Sequence, residues 1–189
     1  VLLDIKHSTF QSSPRKIITI KQPTASSLDP IFSHYIKMSP PRRAIIAITS
    51  AKAELFEGGG HTTGVFIGEA LHPFNVLTAA GFEVDLASEK GEYTEDWLSL
   101  QPGFLTEEER KQYDDKSSAF RRKLDSGLKA SDVDASKYGV FYASAGHAAL
   151  IDYPHAKGLK QVASSIYEAG GIVSTVYVSL FPSNPLEQY

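Results

Sequence analysis

The stretch Tyr138-Gly-Val-Phe-Tyr-Ala-Ser-Ala145-Gly-His-Ala-Ala-Leu-Ile-Asp152-Tyr-Pro-His-Ala-Lys-Gly-Leu159-Lys-Gln-Val-Ala-Ser-Ser-Ile166-Tyr-Glu-Ala-Gly-Gly171-Ile-Val-Ser-Thr-Val176 decides the fold. Its first eight residues are apolar, aromatic and bounded by glycine, which predicts a buried strand. From Asp152 onward, Leu159, Val162, Ala163, Ile166 and Tyr167 recur on one side of a helical period. Pro154 suits a first helical position and Gly170-Gly171 suits a C-terminal cap. Ile172 to Val176 then reads as a second strand. A strand–helix–strand unit of this kind is right-handed and presents functional residues at the carboxyl ends of its strands. Two places therefore matter most: Ala145-Gly146-His147, and the residues after Val176.

Working back toward the amino terminus, Ala44-Ile-Ile-Ala-Ile-Thr-Ser50 is a continuous apolar run, as expected of a parallel strand covered on both faces. The turn Glu57-Gly-Gly-Gly60-His-Thr-Thr-Gly64 lacks the lysine of a phosphate loop and reads as a flexible loop beside a pocket. Phe74 to Ala80 is predicted to be a short helix opened by Pro73 and stopped by Gly81. Phe82-Glu-Val-Asp-Leu-Ala-Ser88 alternates as a strand. Residues 89–137 read as an acidic, irregular insert with a capping-box helix at Thr106-Glu-Glu-Glu109 and a second helix carrying Phe120, Lys123 and Leu124. Inserts of this length often cover a site.

The 189 residues suffice for one domain with a sizeable core, and 42% hydrophobic with 22% charged residues is a soluble, globular composition. A net charge of -3 gives no reason to expect nucleic acid or an anionic membrane as partner. With no cysteine there is no disulfide, thiolate metal site or cysteine nucleophile. Residues 1–37 are basic and without clear periodicity. Met38 is the only methionine, and the expectation is that it is the natural start, with a disordered extension as the rival reading. Residues 177–189 hold two prolines and no regular period, and are expected to be an irregular tail.

Glu69 lies inside an otherwise apolar segment, and residue pattern alone favours an exposed or capping role over a buried acid–base group. Glu69 with His72, and His61 or His147, form no tight metal-ligand spacing, so isolated histidines are expected and no metal. Ser144, His147 and Asp152 make a triad on paper without the Gly-x-Ser-x-Gly elbow that would support it. The Gly-x-Gly-x-x-Gly fingerprint of dinucleotide binding is missing after the first strand.

Thr63-Gly-Val-Phe-Ile-Gly-Glu-Ala-Leu-His-Pro-Phe74, Gly81-Phe-Glu-Val-Asp85, Ala143-Ser-Ala-Gly-His147 and Asp152-Tyr-Pro154 keep the order and spacing of a known family. They resemble the fungal glyoxalase III chaperones of the ThiJ/PfpI superfamily, from about Arg43 to Val176. The resemblance implies a flavodoxin-like α/β sandwich, here without its C-terminal part. It implies cofactor-free conversion of methylglyoxal, or a similar 2-oxoaldehyde, to D-lactate, in the cytoplasm and also the nucleus. A stress-chaperone role toward unfolded client proteins and a homodimer belong to the same implication. So do the site roles: Glu69 as proton shuttle, and Gly146 with His147 around the oxyanion.

The chain departs from the family where the nucleophilic cysteine and its following histidine belong. Tyr177 and Val178 stand there. A thiol ionises near 8.5 and a phenol near 10, and the phenol is bulkier and a poorer carbon nucleophile. Tyr177 is therefore not expected to function, and the expectation is a chain without glyoxalase turnover. The alternative is a non-catalytic holdase-like binding protein or pseudoenzyme. An unspliced intron or frameshift is the favoured source of the tail, against a natural truncated isoform.

Overall fold

The computed structural model describes residues 40–54, 57–144 and 146–176. The expectations for residues 1–37 and 177–189, Tyr177 included, lie outside the described residues. Among the described residues, seven strands and five α-helices follow in chain order. They are β1 (Arg43–Ala47), β2 (Ala53–Glu54), β3 (Thr62–Thr63), α1 (Ile67–Ala79), β4 (Glu83–Ser88), α2 (Glu107–Asp114), α3 (Ala119–Asp125), β5 (Leu128–Lys129), β6 (Val140–Ala143), α4 (Ala149–Asp152), α5 (Lys157–Glu168) and β7 (Ile172–Thr175).

The main sheet runs β5-β4-β1-β6-β7, and every pairing in it is parallel. This is the flavodoxin-like arrangement that the family resemblance implies. β1 lies at the centre, and Ala44, Ile45, Ile46 and Ala47 are all fully buried, because helices cover both faces of the sheet. One core holds Ile46, Leu71, Phe74, Leu86 and Phe120 on the α1 side. The other holds Ile45, Phe141, Tyr153, Leu159 and Ile166 on the α5 side. From β1 the chain crosses to β4 on one side and β6 on the other, so the strand order reverses between β1 and β6. Ligands of open α/β sheets bind at that crevice, outside the carboxyl ends of the strands.

Several boundaries differ from expectation. α1 begins at Ile67, so Pro73 lies inside the helix rather than in its first turn. Proline has no N–H to donate to the Glu69 carbonyl four residues back, which sets the first turn of α1 apart from the rest. Pro154 sits in a 3-10 turn over Tyr153–His155, and the long helix opens only at Lys157. The Glu89 carboxylate accepts the Gly158 and Leu159 N–H groups at 3.0 and 3.0 Å and so caps α5 from another segment. The insert also contributes β5, which pairs Leu128 with Ala87 and Lys129 with Ser88.

The capping box forms as read. Thr106 Oγ1 accepts the Glu109 N–H at 3.3 Å, and Glu109 Oε2 accepts the Thr106 N–H at 2.9 Å. Thr106→Ala should lower stability by about 1 kcal/mol. A thermal midpoint drop of roughly 2–4 °C is the expected reading; an unchanged midpoint would show that α2 does not depend on this cap.

Candidate functional site

Glu69 occupies the first turn of α1, where a negative charge is favoured by the helix dipole. Its N–H donates to the Phe66 carbonyl at 3.0 Å. The side chain is half-buried on the face of the sheet that α1 covers. Two tyrosines sense its charge. Burial, with the Glu69 charge adding to it, pushes the Tyr142 phenol above its ordinary value. Burial pushes the fully buried Tyr153 phenol well above its ordinary value, with Asp152 and then Glu69 adding to it. Tyr142 is in β6, opposite Ile46 of β1 and Ser174 of β7. Glu69 thus stands beside the carboxyl end of the central strands.

Gly146 adopts φ +121, a conformation that favours glycine. A Cβ there would lie 3.2 Å from the Phe66 Cβ, closer than most packed Cβ contacts, so Phe66 would have to give way by a few tenths of an ångström. The glycine is what lets the turn after β6 approach the residue that opens α1. The Gly146 and His147 carbonyls accept the N–H groups of Ala149 and Leu150 at 3.1 and 3.2 Å, so the chain turns directly into α4. Among the sequence-predicted residues, Glu69 and Gly146 therefore share Phe66 as a neighbour. His147 is exposed at the start of the same turn. β7 reaches this point too: the Val176 N–H donates to the Ala143 carbonyl at 3.3 Å, one residue before Tyr177.

Tyr153 binds the strand ends together. Its hydroxyl lies 3.0 Å from the Ala47 carbonyl of β1 and 2.9 Å from the Ser144 carbonyl after β6. Asp152, beside it, accepts the Thr49 hydroxyl at 2.8 Å and the Ser50 N–H at 2.7 Å. Burial raises the Asp152 carboxyl, and these hydrogen bonds oppose the rise. Asp152 is therefore engaged with the end of β1, which argues against the paper triad with Ser144 and His147. His72 Nε2 lies 2.7 Å from Glu109 Oε1, tying α1 to α2. Among the described residues, no group of three or more histidines and carboxylates converges to hold a metal. No described helix is long and apolar enough to cross a membrane.

A separate open cleft of about 670 Å³ lies at the ends of β1 and β4, lined by Ser50, Lys52, Glu89, Tyr93, Asp152 and His155 among others. Glu69, Gly146 and His147 do not line it. Sequence reasoning missed Tyr142, Tyr153 and Phe66. Strand alternation carries a signal for Tyr142, since Phe141 faces the α5 core and its neighbour must face the other way.

The chain is 44% identical over 134 residues to glyoxalase 3 of Candida albicans, covering 71% of this chain and 56% of that protein. It is 43% identical over 136 residues to the glutathione-independent glyoxalase HSP31 of Saccharomyces cerevisiae, covering 72% of this chain and 57% of the relative. The crystal structure of glyoxalase III from Candida albicans superposes with a TM-score of 0.69 at 42% identity, over 72% of this chain and 57% of that one. No family model matches. The chain spans a little over half the length of the relatives it matches.

Proposed function

Because the chain belongs, over the span it shares with them, to the family of the fungal glutathione-independent glyoxalases, we propose that it carries the acid–base and oxyanion parts of a glyoxalase III-type site. The observation that carries this reading is the meeting of Glu69 and Gly146 across Phe66 at the carboxyl end of the central strands.

In this reading the substrate is methylglyoxal or a similar 2-oxoaldehyde. A thiolate adds to the aldehyde carbon, and the resulting hemithioacetal oxygen is held by the turn at Gly146 and His147. Glu69 takes the proton from that carbon and returns it to the neighbouring carbinol carbon, leaving a thioester. Water then releases D-lactate and the thiol, so methylglyoxal and water are consumed in equal number and no cofactor is required. The thiolate is the part that the 189-residue sequence lacks, with Tyr177 in its place. The chain as given forms no D-lactate in this reading.

The test pairs this chain with a Tyr177→Cys/Val178→His variant. D-lactate from methylglyoxal should stay at the buffer rate for the first and rise clearly above it for the second. Turnover by the unaltered chain would overturn the assignment of the missing nucleophile, and no gain in the variant would overturn the reading of the site.

A non-catalytic role in stress, binding unfolded clients, is the second reading. β7 favours it: it is the outermost strand of the described sheet beyond β6, and Ile172 is 63% exposed. Suppression of client aggregation without turnover would support that role. Cytoplasmic and nuclear residence, and pairing into a homodimer, belong to the same family-based proposal.

A further inference from the structure

We propose that Phe66 and Phe104 form an apolar wall at the mouth of the Glu69 site, which selects 2-oxo compounds carrying a ring-sized apolar side chain over those carrying a methyl group. The inference rests on the reading of Glu69 and Gly146 given above and adds the substrate class.

Phe66 is the residue that opens α1, two residues after Gly64 and three before Glu69. It touches the Gly146 turn on one side, with 3.2 Å from its Cβ to the position of a Gly146 Cβ. On the other side its ring meets the Phe104 ring edge-on, with centroids 5.5 Å apart and planes at 81°. Phe104 belongs to the insert and keeps 41% of its surface in solvent. Its carbonyl and the Leu105 side chain pack beside Gly68, each 3.6 Å from where a Cβ would stand. The exposed ring is therefore held next to the turn that bears Glu69.

The wall is anchored. His72 pairs with Glu109 at 2.7 Å. Asn75 and Gln112 exchange two hydrogen bonds of 3.0 and 2.8 Å between α1 and α2. Arg110 Nη1 donates to the Leu100 carbonyl at 2.9 Å, just ahead of Phe104 in the chain. An aromatic ring carried on a segment tied down in this way adds its dispersion and edge contacts to a ligand at a reduced ordering cost. A methyl group reaches too little of it to benefit.

The probes are hydroxyacetone and 2-hydroxyacetophenone. Both carry the 2-oxo group, are neutral, and lack the second carbonyl that would modify arginine. Dissociation constants are measured by ligand-observed NMR on the 189-residue chain and on its Phe104→Ala and Gly146→Ala variants. The aryl ketone should bind about tenfold more tightly than hydroxyacetone. Phe104→Ala should bring the two within about twofold, and Gly146→Ala should weaken both. Equal affinity in the parent chain, or a preference that survives Phe104→Ala, overturns the wall while the site reading stands if Gly146→Ala still weakens both. Failure of both ketones to bind, or binding indifferent to Gly146→Ala, overturns both.

Discussion

In the Tyr177→Cys/Val178→His background, Glu69→Gln should cut D-lactate formation by roughly 100- to 1000-fold, within the range general acid–base groups contribute. The amide matches the carboxylate in size and keeps the packing of the first turn of α1, but it cannot take up the proton. Burial raises the Tyr142 and Tyr153 phenols, and the half-buried Glu69 stands near enough to add to both, so its charge is already felt at the strand ends. Loss of the proton acceptor should appear in kcat rather than in substrate affinity. Rates of the Glu69→Gln variant within threefold of its parent would remove Glu69 from the chemistry.

Asp85→Asn should lower stability by about 2–3 kcal/mol, a thermal midpoint loss of roughly 5–10 °C. Asp85 is 5% exposed in the middle of β4. It accepts Arg43 Nε at 2.9 Å, Lys123 Nζ at 2.6 Å and the Tyr138 hydroxyl at 2.9 Å. These donors come from β1, α3 and the approach to β6, so one carboxylate joins three segments. Arg43 and Lys123 keep about a third of their side-chain surface in water, which limits the cost of stranding their charges. Burial works against the Asp85 charge, but the hydrogen bonds from Lys123 and Tyr138, the Lys123 charge and the Arg43 contact outweigh it. The carboxyl is held below its ordinary range.

The stabilisation from Asp85 is therefore complete above the unfolded value near 3.9, and it is lost as pH falls from there through the lowered folded value. Acid should narrow the gap between parent and Asp85→Asn. A gap that stayed constant from pH 7 to pH 3, or a midpoint loss under 2 °C, would show that the cluster is held by packing alone.

Asp85 also marks where sequence reading stops. The alternation of Phe82, Val84 and Leu86 announces a strand, and it places Asp85 on the opposite face. In a sheet covered on both sides that face is buried too, and only tertiary contact supplies the three donors. The buried parallel strand at Ala44 and the strand–helix–strand unit at the C-terminal side were legible because their periods and glycine stops are local, whereas the central place of β1 was not. The sequence places the start of α1 too late, since Pro73 looks like a helix opener and instead lies within a continuous helix that begins at Ile67. Pairing order decided β5, a two-residue strand too short for any period.

At the candidate site the contrast is similar. Glu69 looked like an ordinary surface acid until family resemblance singled it out, because residue pattern has no measure of what a fold brings near. Gly146 was legible as a turn. Its contact with Phe66 was not, because the two lie 80 positions apart in the chain. The pairing of Asp152 with Thr49 and Ser50 likewise spans the chain, and it redirects a carboxylate that spacing alone had offered to His147.

The Tyr153 hydroxyl, poised between the Ala47 and Ser144 carbonyls, acts as a rivet through two neighbouring strands. Its ring is wholly enclosed and has no room to slide. The spacing of the β1 and β6 carboxyl ends is thereby insulated from drift on the outer surfaces of α4 and α5. Residues such as Leu150, Lys157 or Tyr167 are at liberty to change for solubility or for a partner without altering that spacing.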